Sequence, residues 1–212
     1  MTSELFAQYL FSGITIGSIY AIVAIGFNII YNATGIINFA QGEFVMLGGM
    51  IAISCVAIMP LPLAVACAVG ATALIGGMIY ALFFSWIRSP TVLRLIIITI
   101  GLSILLRETA LVLWGEQVRS LPYFTGNEVS SIRWGGAYFS PQVIWILGVS
   151  AVIVIALNVF FAYTRLGRAM RACSANPKAA ILCGIPGRRM VALSFMLSAA
   201  IGALAGCVVS PM

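Results

Sequence analysis

Residues 32–44 read NATGIINFAQGEF and place Asn32, Asn38, Gln41 and Glu43 between two long apolar stretches. One reading is purely local. Asn38 caps a helix, Gln41 three residues later completes a capping box, and Glu43 sits favourably near the positive end of the helix dipole. Gly35 and Gly42 then provide a tight turn and room for close packing. That account leaves unexplained why so many polar groups adjoin a 22-residue apolar run (Leu10 to Tyr31). Polar side chains and irregular backbone at bilayer depth persist where they line a cavity or face other protein. The second reading is therefore a broken or re-entrant element beside a translocation path, with Asn38, Gln41 and Glu43 as pathway or gate residues.

Other chemistry is largely excluded. The chain has no histidine and no aspartate, which removes Ser-His-Asp catalysis and His-based zinc sites. Its one lysine, Lys178, lacks a glycine-rich lead-in, so no phosphate-binding loop is present and any ATP-dependent work falls to another chain. The five cysteines, Cys55, Cys67, Cys173, Cys183 and Cys207, have no zinc-site spacing and are expected as free thiols. No metal, cofactor or enzymatic activity is expected. Arg107 and Glu108 form a second polar anomaly in an apolar run. Adjacent helical residues point about 100° apart and cannot pair well with each other, and Arg107 is close enough to Trp114 to snorkel toward the interface.

The elements that must position these residues are hydrophobic helices. The chain is 62% hydrophobic and 8% charged, against roughly 25% charged for a soluble domain. The apolar segments are Leu10 to Tyr31, Phe44 to Met59, Leu61 to Ile87, Leu95 to Trp114, Val143 to Tyr163 and Met190 to Ser210. The pattern predicts an all-α, polytopic membrane bundle of about six segments, since barrel strands would alternate apolar and polar residues. The second segment is short unless its helix starts near Asn38. The first has no basic residue ahead of it and is not expected to be a signal peptide.

Loop charge sets the orientation. The 164–189 connection carries Arg165, Arg168, Arg171, Lys178, Arg188 and Arg189 and no acidic residue, and the 88–94 turn carries Arg88 and Arg94. Both are expected to be cytoplasmic. The 115–142 connection balances Arg119 and Arg133 with Glu116 and Glu128 and is expected outside. The N-terminus is outside if the second segment crosses fully, and inside if that segment dips and returns.

Within the basic connection, Asn176 is a good N-cap, Pro177 suits the first helical position, and Gly184 followed by Pro186 ends the helix. This predicts a helix over 177–183, about 10 Å long and too short to be stable alone in water. Its residues Lys178, Ala179, Ala180, Ile181 and Leu182 read as a docking element for another protein, the alternative being an interfacial helix held by anionic lipid. Gly13 with Gly17, and Gly202 with Gly206, form GxxxG faces suited to close helix packing.

With both stretches described, the chain resembles the permease subunit of bacterial ABC importers for branched-chain amino acids. GIINFAQGEFVMLGG (35–49) resembles that family's pattern after the first helix, with Gln41 where histidine is frequent. GRAMRACSANPKAAILCGI (167–185) resembles its cytoplasmic coupling loop, and GITIGSIYAIVAIGF (13–27) also fits. The resemblance implies one transmembrane permease domain over 1–212 with a coupling loop at 164–189. It implies import of a hydrophobic amino acid across the inner membrane, driven by a separate ATPase. The implied partners are a second permease subunit, two ATP-binding cassette subunits, a periplasmic or surface-tethered amino-acid-binding protein and the lipid bilayer; no nucleic acid is expected. Family members continue beyond LSFMLSAAIGALAG (193–206) through further spans, so the chain is expected to be incomplete at its C-terminus. The alternatives are a permease for urea or short amides, which shares these patterns, and an ion-coupled secondary transporter or channel using Glu43 or Glu108.

Overall fold

The structure is a computed structural model describing residues 3–35, 37–87, 91–126, 132–134 and 137–211, with backbone alone at 3, 4, 133, 134 and 137. Arg88 and Glu128, which entered the loop-charge balance, lie outside the described residues, as does the side chain of Arg133.

The order is α1 (Ser3–Thr34), α2 (Gln41–Val56), α3 (Leu61–Ile79) continuing into a π-helical turn (Tyr80–Phe84), α4 (Val92–Trp114), β1 (Ile132–Trp134), β2 (Ala137–Phe139), α5 (Gln142–Tyr163), α6 (Arg165–Ala175), α7 (Pro177–Leu182) and α8 (Gly187–Val209). Among the described residues, five helices are long and apolar enough to cross a bilayer: α1, α3 with its π turn, α4, α5 and α8. The chain is a multi-pass, all-α membrane bundle. At 16 residues, α2 is the exception; about 24 Å of helix is shorter than a hydrocarbon core of about 30 Å.

Helix boundaries follow local chemistry. Gly35, at φ +70°, closes α1 with its N–H on the Tyr31 carbonyl (2.7 Å), a left-handed stop that glycine adopts without strain. Pro60 precedes α3 and Pro62 lies in its first turn, where a missing N–H costs nothing. Gly115, at φ +74°, follows α4.

The core forms around α8, of whose span 61% is buried, against 17% for α1 and α5. Small residues make this possible. A Cβ at Gly206 would run into the Val45 carbonyl, and one at Gly202 would lie 2.9 Å from the Phe44 Cβ. From the other side, a Cβ on Gly76 of α3 would lie 2.7 Å from that of Ala199. The backbones of α2 and α3 therefore approach α8 as closely as glycine allows. Gly13 and Gly17 meet nothing within 4 Å, so the close packing expected of that face is not made within this chain.

Contacts at the two ends fix the direction of each helix. At one end the Gln8 amide brackets the backbone of Tyr138, donating to its carbonyl (2.7 Å) and accepting from its N–H (2.9 Å). Phe11 stacks on Phe139 there, with ring centroids 5.0 Å apart. At the other end the Ser174 hydroxyl donates to the Asn32 carbonyl (2.6 Å). The start of α1 thus lies with the β-hairpin and its finish with the basic 164–189 connection. The hairpin, paired Ile132 to Phe139 and Trp134 to Ala137, was not foreseen from the sequence.

Candidate functional site

The segment between α1 and α2 turns back into the bundle. Gln41, the first residue of α2, packs at Gly26 of α1, roughly two turns and about 12 Å inside the end of that helix. The α2 helix starts within the membrane thickness and runs toward the hairpin end, where the Trp114 indole N–H donates to the Ser54 hydroxyl (2.7 Å). The α2 helix therefore carries the chain from beside Gly26 back toward the hairpin end rather than returning to the basic end.

The capping box is not formed. The residue before α2 is Ala40, and no side chain caps the helix. The Asn38 Oδ1 instead accepts from the Ala40 N–H (3.2 Å), and the Asn38 carbonyl accepts from the Gln41 N–H (3.3 Å). This is the local turn that asparagine forms readily with the backbone two residues on. Asn38 is 1% exposed, and its Nδ2 has no hydrogen-bond partner. Gln41 serves α8 rather than its own helix end. The Ser198 hydroxyl lies 2.6 Å from Gln41 Oε1 and 2.6 Å from the Gly26 carbonyl, and the Gln41 Nε2 donates to the Ser198 carbonyl (3.4 Å). One buried serine therefore ties together α1, the start of α2 and α8.

Two residues on, Glu43 points to a different side of α2 and faces α4. Its Oε1 accepts from the Ser103 hydroxyl (2.8 Å) and from Arg107 Nη2 (3.0 Å). The Glu43 side chain is 8% exposed and that of Arg107 67%. Arg107, expected from the sequence to reach toward the interface, makes a charge-assisted bond to a buried carboxylate instead. Glu43 and Arg107 form the one ion pair among the described residues, a buried carboxylate on the inner side and a guanidinium reaching the bundle surface. Glu108, on the exposed face of α4, has no ion-pair partner among the described residues. Chemically, the arrangement offers fixed charges of both signs and a spare amide donor at bilayer depth. Among the described residues, no group of ligands could hold a metal.

The basic end carries the second predicted element. The Asn176 Oδ1 accepts from the Ala179 N–H (3.1 Å), Pro177 opens α7, and Gly184 follows it at φ +80°. The helix ends at Leu182, one residue earlier than expected, with Cys183 as C-cap. Its faces divide sharply. Ala180 is 4% exposed and packs into the same cluster as Met170 of α6 and Met190 of α8, whereas Ile181 is 60% and Leu182 89% exposed. Of the residues read as a docking element, Ala180 is therefore turned inward and anchors α7 to its own chain, while Ile181 and Leu182 stay exposed.

Arg107, Ser103 and Ser198 were missed as partners of the polar stretch. Arg107 carried a signal, being a charge in an apolar run; the two serines carried none.

A family model described as "Branched-chain amino acid transport system / permease component" matches residues 9–212. The high-affinity branched-chain amino acid transport system permease protein LivH of Salmonella typhimurium is 35% identical over 95% of this chain and 69% of its own length. The corresponding protein BraD of Pseudomonas aeruginosa is 34% identical over 94% of this chain and 69% of its own. A xylose/arabinose import permease protein of Sulfolobus acidocaldarius is 31% identical over 53% of this chain and 29% of its own. No solved structure matches the chain.

Proposed function

Since the chain belongs to the family of branched-chain amino acid transport system permease components, a transporter rather than an enzyme family, we propose that residues 1–212 act as one transmembrane permease unit. In this reading they belong to an ABC importer that moves branched-chain amino acids across the inner membrane. A second permease subunit completes the pathway, two ATP-binding cassette subunits hydrolyse ATP at the basic, cytoplasmic end, and a periplasmic or surface-tethered binding protein delivers substrate at the hairpin end. The names of the relatives at 34–35% identity support the substrate.

The observation that carries the reading is α7. Six residues of helix, held by the Asn176 cap and the buried Ala180, present Ile181 and Leu182 to solvent among basic residues. So short a helix gains nothing from exposing two large apolar side chains unless a partner covers them. A channel or ion-coupled carrier has no need of such a knob. Asn38, Gln41 and Glu43, joined by Ser103 and Arg107, form the pathway or gate in this reading. Their charges and amides occupy the depth at which a zwitterion must be passed on, where polar residues mark transport routes.

The test is uptake of labelled leucine and of labelled urea by cells expressing the permease with its ATPase and binding-protein partners. Leucine uptake that depends on this chain and on ATP hydrolysis is expected. Uptake of urea instead would move the substrate to the amide class, and leucine uptake that survives an inactive ATPase but collapses with the ion gradient would favour a secondary transporter.

A further inference from the structure

A cavity of about 310 Å³ lies between α1, α5 and α6 at the basic end. Its mouth is polar, with Asn28 and Asn32 of α1 facing Arg171 and Ser174 of α6. Its interior is apolar, lined by Ile25 and Ile29 of α1 and by Leu157 and Phe161 of α5. A second cavity of about 210 Å³ shares Ile25, Leu157 and Phe161 and extends along α5 to Val154. From Asn32 to Ile25 on one wall, and from Phe161 to Val154 on the other, the groove descends about 10 Å from the basic face toward the bilayer interior. Its walls are the two least buried spans, so it opens sideways toward lipid rather than into the bundle.

We propose that this groove is a binding site for one anionic phospholipid of the cytoplasmic leaflet. The headgroup phosphate meets Arg171, and the start of an acyl chain lies along Ile25, Leu157 and Phe161. Charge selects the headgroup: the 164–189 connection holds six basic residues and no acidic one, and basic pockets between helices on the cytoplasmic side suit such lipids. Hydrogen-bonding capacity points the same way. Asn32 Nδ2 donates to Asn28 Oδ1 (3.1 Å), and Ser174 is committed to the Asn32 carbonyl, leaving the Asn28 amide donors free for phosphate oxygens. The site lies away from Glu43 and does not depend on which substrate is carried. A lipid seated there bridges α1 to α6, the helix immediately before α7, so its presence would stiffen the base on which the docking helix stands.

The assembled complex, placed in nanodiscs with equal phosphatidylglycerol and phosphatidylethanolamine, extracted gently and weighed by native mass spectrometry, tests this. The unaltered protein should retain phosphatidylglycerol in preference. Arg171→Gln should lower that preference about fivefold, which is the ~1 kcal/mol of one basic residue near an anionic surface. Arg171→Lys should keep most of it, and Arg165→Gln, on the same helix but outside the groove, should keep all of it. Leu157→Trp, which fills the apolar part, should expel the lipid. Millimolar inorganic phosphate should not displace it. Absence of lipid from the unaltered protein, equal losses in the Arg165 and Arg171 variants, retention in Leu157→Trp, or displacement by free phosphate would each overturn the proposal.

Discussion

At the scale of single residues, Glu43 decides most. Its carboxylate is buried, and Ser103 and Arg107, both on α4, donate to it. Glu43→Gln keeps the shape and weakens a charge-assisted bond worth about 1.5–3 kcal/mol. Uptake per assembled complex is expected to fall about tenfold or more on that figure, with insertion unchanged. Arg107→Gln is the more damaging change for assembly, since it leaves a buried carboxylate without its cation. The double variant Glu43→Gln/Arg107→Gln should assemble better than Arg107→Gln alone, because no lone charge remains. Yields of complex in detergent, combined in a double-mutant cycle, measure this; additive losses would show that the two side chains do not act as a pair. The pair itself was not legible in the sequence. Each residue was visible as a polar anomaly, but they are 64 positions apart, and only the depth at which α2 begins brings them level. Gln41 is a similar case: its spacing from Asn38 fits a capping box, yet the backbone's turn back into the bundle uses the Asn38 side chain first and leaves Gln41 to Ser198.

At the scale of elements, α7 separates two roles that the sequence merged. Ala180→Asp places a carboxylate among Met170, Met190 and Cys173, and burying an unpaired charge there damages the permease's own loop. Leu182→Asp alters only the exposed tip. Both should lose the copurifying ATPase, but only Ala180→Asp should also lower the thermal stability of the permease without partners. Limited proteolysis of the 164–189 connection reports the difference. Equal protease resistance in the two variants would remove the anchor role from Ala180, and full ATPase recovery with Leu182→Asp would remove the docking role from the tip. The helix was legible because its signals are local: an Asn cap, a Pro at the first position and a Gly stop. The burial of Ala180 was not, because it depends on α6 and α8 meeting beneath it. The long apolar spans were legible within a few residues at most ends for the same reason, since length and composition suffice. The β-hairpin was not, since its strands are three residues each and its anchor, Gln8, comes from the far end of the sequence.

At the scale of the whole molecule, the crossing of the second segment determines which side every loop occupies. A segment that dipped and returned would put the N-terminus with the basic connection. The structure places the start of α1 beside the hairpin through Gln8 and Phe11, and the end of α1 beside Ser174. By the positive-inside rule the hairpin end is then expected outside. Cysteine labelling in intact cells tests both statements together. Val118 is fully exposed and Leu5 nearly half exposed, so Val118→Cys and Leu5→Cys, each in a background with Cys183→Ser, should react with a membrane-impermeant maleimide added outside. The native Cys183 is exposed at the basic end and should react only after the membrane is permeabilised. Cys173, on the same connection, supplies an internal contrast. It is buried, and burial pushes its thiol above the ordinary range, so little thiolate is available and it should label slowly even in open membranes. Labelling of Leu5→Cys together with Cys183, rather than with Val118→Cys, would mean that the second segment does not cross. Glu43 would then no longer lie at the depth where it meets Arg107, and the pathway assignment would go with it.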